Sequence, residues 1–116
     1  MASMNEHLDG LVLDELRAVL GEDFAVLVST FVTDSEKRLS ALRDAASAAD
    51  AGKLREAAHS FKGSALNMGA RQLSELCRVA EARARSGDVT GIDGLVDDIA
   101  SETRLVSGLL AAARKS

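Results

Sequence analysis

The chain has 116 residues, 47% of them hydrophobic and 28% charged, with a formal net charge of -4. That length makes one small domain, able to bury roughly two-thirds of its unfolded surface, and the acidic balance argues against a general nucleic-acid binder. A single Cys excludes an internal disulfide framework and favours a reducing compartment. No apolar run approaches the ~18 residues of a membrane span, and the N-terminus lacks a charged-then-apolar signal, so a cytoplasmic location is expected.

The sequence contains no Pro, and its Ala, Leu, Arg and Glu favour helix throughout. No segment shows sustained strand alternation. Residues 1–6 read as a tail, with Met1-Ala2-Ser3 an addition ahead of a native start at Met4, and the domain spans 7–116. A native start there favours a free-standing protein over a piece of a longer one. His7 falls with the tail and has no functional setting of its own.

A short helix is predicted from Leu8 or Asp9 to Leu20, on Leu8, Leu11, Val12, Leu16, Val19 and Leu20, with Gly21 breaking it. A long second helix begins near Glu22 or Asp23, where acidic groups suit a helix N-terminus. Its stripe is Phe24, Leu27, Phe31, Ser35, Leu39, Leu42 and Ala46. It ends around Ala48 to Asp50, and Asp50-Ala51-Gly52 is the break, with Asp50 as N-cap.

The third helix spans about Lys53 to Met68 and stops at Gly69. A fourth runs from about Ala70 to Ser86 along Leu73, Leu76, Cys77, Ala80 and Ala84, stopped by Gly87-Asp88. Cys77 reads as a small buried apolar residue. A fifth occupies about Gly91 to Arg114 on Ile92, Leu95, Val96, Ile99, Thr103, Val106, Leu110 and Ala113. Short connections make neighbouring helices antiparallel, so the expected fold is all-α: an up-and-down four-helix bundle with the short first helix capping one end.

The third helix carries the functional information. At about 100° per residue, Leu54, Ala57, Ala58, Phe61, Ala65 and Met68 gather on the core face. Arg55, His59, Lys62, Gly63 and Leu66 gather on a face roughly 90–180° away. A mid-helix Gly costs about 1 kcal/mol relative to Ala. Gly63 points away from the core, so a partner approaching that face accounts for it better than packing inside the bundle. Leu66, apolar on the same face, suits docking.

Together these residues suit phosphoryl transfer. Neutral imidazole is a nucleophile near pH 7. Phosphoryl transfer is catalysed mainly by positioning and electrostatics, and a Lys one turn away neutralises developing charge. The stretch HSFKGSALNMGA, from His59 to Ala70, resembles the signature of histidine-containing phosphotransfer (HPt) domains of bacterial phosphorelays. The likeness continues through Arg71-Gln72-Leu73-Ser74-Glu75-Leu76-Cys77 to Gly87-Asp88, and back to Phe31, Asp34, Arg38 and Leu39.

The resemblance implies that His59 accepts the phosphoryl group on Nε2, that Lys62 stabilises it, and that Gly63 leaves room for the partner. Ser64 matches the motif with a structural role as good a reading. The implied partners are receiver domains of response regulators or hybrid kinases, which carry the phospho-aspartate and hold the Mg²⁺ themselves. The chain itself then needs no cofactor or metal and acts as a monomeric phosphocarrier rather than a kinase.

The position facing the active His is often Gln in this family, and here it is Glu81. A carboxylate there would accept an imidazole N–H yet repel a phosphoryl group. It either swings toward Arg78 or Arg85 or tunes the acceptor, and the simpler expectation is a solvated surface Glu. Arg55, Lys62, Arg71, Arg78 and Arg85 either create a positive docking field or pair with Glu56, Glu75 and Glu81 on their own helices. Arg55, Gly63, Leu66, Arg78 and Glu81 are therefore the candidate docking residues.

Competing readings fare less well. There is no Walker-type phosphate loop for a kinase or ATPase. A metal-binding bundle wants paired Glu-x-x-His motifs on facing helices, whereas His59 alone lies on a bundle helix. A non-catalytic helical adaptor explains the bundle but not the Lys62–Gly63–Leu66 face.

Overall fold

The computed structural model describes residues 7–114; the expected tail over residues 1–6 lies outside them. Among the described residues, five helices follow one another: α1 (Gly10–Leu20), α2 (Asp23–Ser47), α3 (Ala51–Asn67), α4 (Arg71–Arg85) and α5 (Ile92–Arg114). None of them is long and apolar enough to cross a membrane.

The boundaries follow local chemistry. Asp9 caps α1 by accepting the Leu11 N–H at 3.0 Å, and Asp50 caps α3 by accepting the Lys53 N–H at 3.0 Å. The end of α3 is a Schellman turn, in which Gly69 N–H donates to Leu66 O at 3.0 Å and Ala70 N–H to Ala65 O at 2.9 Å. Gly69 has φ +72, and a Cβ there would lie 3.0 Å from Val12 Cβ. Both the turn and the close approach of α1 therefore require glycine.

The break before α3 differs from expectation. Ala49, at φ 50, takes the left-handed position that closes α2. Ala51 and Gly52 already belong to α3.

Helices α2 to α5 form a ring: α3 packs on α2 and α4, and α5 closes it against α4 and α2. This is the expected antiparallel bundle, with Phe61, Leu54, Leu73, Ile99 and Leu110 fully buried at its centre. Burying a side chain of this size contributes roughly 1.5–3 kcal/mol. Ser35, on the second-helix stripe, is also buried, as is Cys77. Burial pushes the Cys77 thiol up to about 12, which keeps it protonated.

Helix α1 lies across one end of the ring. Asp9 N–H donates to Gly69 O at 2.8 Å at its start. At its other end Arg17 donates to Ala113 O at 2.6 Å and stands over the Phe24 ring at 5.3 Å. Its expected stripe needs correcting. Leu13 faces the core, whereas Leu11 and Val19 are exposed at 76% and 82%. A short helix packed on one side buries a narrow arc, here Leu13, Leu16 and Leu20 at helical spacing.

His7, expected to fall with the tail, is instead tied to the bundle. Its Nδ1 lies 2.6 Å from Glu102 Oε2 on α5, with both side chains largely buried. A separation of 95 residues hides this pairing from any local reading.

Candidate functional site

His59 sits midway along α3, at the middle of the bundle rather than at an end. The registry that buries Leu54, Ala58, Phe61 and Ala65 turns His59, Gly63 and Leu66 outward, as expected. The His59 side chain is 68% exposed and Leu66 is 57% exposed. A Cβ added at Gly63 would meet nothing within 4 Å, so the space beside the imidazole is open to solvent.

Glu81 arrives from α4 and organises this face. Its Oε2 lies 2.6 Å from His59 Nδ1, and its Oε1 accepts from Lys62 Nζ at 2.6 Å. The carboxylate is buried, with only 5% of its side chain exposed, while Lys62 is half-buried. The solvated surface Glu expected at this position is therefore incorrect, and so is its assignment to a docking surface. The stripe already held a signal: Glu81 is four residues after Cys77 and three before Ala84, both buried.

The two hydrogen bonds explain how a buried carboxylate is tolerated. The Lys62 hydrogen bond holds Glu81 below the ordinary carboxylate range; burial opposes that, and the His59 contact reinforces it. An ionised carboxylate only accepts, so the proton of the shared bond resides on Nδ1. The imidazole is then fixed in one tautomer, with the Nε2 lone pair left free. Lys62 reaches the site through Glu81, spending one of its three N–H donors there.

The surrounding cations divide into two groups. Arg85 reaches Glu81 Oε2 at 3.4 Å, and Arg55 lines the recess that His59, Glu81 and Arg85 also line. Arg78 is instead held by Glu75 on its own helix through contacts of 2.9 and 2.6 Å, so it is not brought into the cluster. On the other flank, Arg38 of α2 donates to the hydroxyl of Ser60, the residue after His59. No group of three or more His, Cys, Asp or Glu placed to hold a metal occurs among the described residues.

Chemically, the arrangement is an exposed nucleophilic nitrogen, oriented by a buried carboxylate that a lysine keeps ionised. A model of the Hpt domain family matches residues 26–115. Among solved structures, the chain is similar to histidine-containing phosphotransfer protein B (HptB) from Pseudomonas aeruginosa PAO1. The two share 41% identity at a TM-score of 0.91, over 94% of this chain and 95% of that one. No match was found among curated proteins. Sequence, bundle and neighbour agree, and the chain belongs to the Hpt domain family.

Proposed function

We propose that this Hpt domain is a phosphorelay intermediate that carries its phosphoryl group on His59 Nε2. The observation that carries the assignment is the 2.6 Å contact between Nδ1 and Glu81, which leaves Nε2 as the basic nitrogen of an exposed ring. The donor and the recipient are receiver domains. Such a relay partner supplies an aspartyl phosphate and its own Mg²⁺, so this chain acts as a phosphocarrier without a bound cofactor. The same reading has it working in the cytoplasm as a monomer.

In the reaction, the Nε2 lone pair attacks phosphorus in line with the acyl P–O bond. The N–P bond forms as the P–O bond breaks, and the bonding pair leaves with the receiver's carboxylate. Nδ1 keeps its proton, so positive charge develops on the ring in the transition state. Glu81, already aligned with Nδ1–H, stabilises that charge without reorganising. Lys62 offsets the repulsion between Glu81 and the incoming phosphoryl group. Gly63 and Leu66 supply the open, partly apolar surface against which the receiver docks, beside the exposed Arg55. Because both ends of the transfer are activated phosphoryl groups, the step runs in either direction.

The test is transfer of labelled phosphate from a phosphorylated receiver. The wild type is expected to take label and His59→Gln to take none. Binding of the receiver without any label on the wild type would instead identify an adaptor.

A further inference from the structure

The proposed chemistry leaves one charge problem open. A phosphoryl group on Nε2 carries up to two negative charges and stands near the buried carboxylate of Glu81. Lys62 is already engaged with that carboxylate at 2.6 Å. Its charge balances Glu81 and leaves little surplus for the phosphoryl oxygens.

A recess between α3 and α4 bears on this. It is lined by Gly52, Arg55, Glu56, His59, Glu81 and Arg85. Gly52, Arg55, Glu56 and His59 follow one another at helical spacing, so the recess runs from the imidazole toward the start of α3. Lys62 lies in the opposite direction along the helix.

The cations of this recess are held less firmly than Lys62. Arg55 is exposed and enters no ion pair among the described residues. Arg85 is 62% exposed and has a contact of 3.4 Å to Glu81, longer than the two 2.6 Å bonds that already satisfy that carboxylate. Glu56 stands at the far rim, since it also lines the hollow between α2 and α3. Gly52, at the end of the recess nearest the start of α3, adds no side chain to its lining.

Resting on the assignment of His59 as acceptor, we infer that Arg55 and Arg85 form a two-sided oxyanion clamp for the phosphoryl group on His59. Each guanidinium donates to phosphoryl oxygens across the recess. Lys62 serves as a positioning residue that acts through Glu81. Arg55 thereby moves from a docking residue to a ligand of the transferred group. Guanidinium suits the task because its fixed fork of donors matches the spacing of phosphate oxygens.

The experiment compares the wild type with R55Q/R85Q and R55K/R85K, each phosphorylated by the same labelled receiver. Transfer is measured as a function of receiver concentration, and the phosphohistidine is titrated with pH by ³¹P NMR. The limiting transfer rate of R55Q/R85Q is expected to fall about tenfold, the scale of losing charge-assisted contacts at a partly exposed site. Its ³¹P titration midpoint should lie above that of the wild type, because nearby cations favour the dianion. R55K/R85K should restore the midpoint, which reports charge, but only part of the rate, which depends on the guanidinium fork.

An unchanged ³¹P midpoint with an unchanged limiting rate overturns the clamp while leaving His59 as acceptor. A rise in the half-saturating receiver concentration alone also overturns it, since that is what docking residues would show. Absence of label on the wild type removes the clamp together with the assignment on which it rests.

Discussion

Gly63 offers the sharpest separation of stability from function, through Gly63→Gln. A Cβ at this position meets nothing within 4 Å, so the folded monomer accepts the new side chain without strain. Glycine in a helix interior is about 0.8–1 kcal/mol worse than Ala, and Gln is a good helix former, so the variant should be more stable by about 0.5–1 kcal/mol. For a domain of this size that is a rise in Tm of a few degrees.

The same substitution places a flexible amide one turn from His59, in space that a docking receiver must occupy. Overpacking a close-fitting contact costs about 1–3 kcal/mol, or roughly 5- to 150-fold in affinity. Thermal unfolding followed by circular dichroism reads the first effect, and titration with a receiver the second. A low-molecular-weight phosphoryl donor, which needs no docking face, should phosphorylate the variant at close to the wild-type rate. A more stable protein that binds its receiver as tightly as the wild type would refute the reasoning that this glycine exists for access.

Lys62→Ala should slow transfer and lower stability by about 1–3 kcal/mol, because the buried Glu81 loses its first partner; urea unfolding measures the second effect, and wild-type stability would remove the ion pair from the account. The domain should stay folded, since typical stabilities of about 5–15 kcal/mol exceed that loss. The pH dependence has a definite sign. Glu81 is held below 4.5 in the folded state, so its contribution is present above that value and is lost as pH falls through the lowered folded value. The stability difference between wild type and Glu81→Gln should therefore shrink on going from neutral pH to below 4, and a difference independent of pH would show that the carboxylate is not held ionised by its partners.

Much of the fold was legible because its signals are local. Gly21, Gly69 and Gly87 punctuate the chain, and the stripe from Ile92 to Leu110 buries as its spacing implies, while on α2 Phe24, Phe31, Ser35 and Leu42 are buried, Leu27 and Leu39 partly so, and Val28 joins them. The outward face of α3 was legible for the same reason. His59, Lys62, Gly63 and Leu66 share one helix, and rotation per residue relates them without reference to any other element. Leu11 and Val19 stay exposed because α1 is short, and periodicity does not say which arc of a short helix an end-on contact will choose.

What the sequence determined by itself was therefore the helices, their order, and an imidazole beside a lysine and a glycine on a solvent-facing side. What only the tertiary structure decided was the company that imidazole keeps. Glu81 lies 22 residues away and His7 lies 95 residues from Glu102, distances at which helical periodicity carries no information. The packing of α4 against α3 turns a glutamate that reads as solvated into the buried group that sets the tautomer of His59. The physical reason is that the rotation of a helix fixes directions within it, that of Glu81 toward the buried stripe included, whereas the partners a charged side chain finds depend on where the neighbouring helix comes to rest.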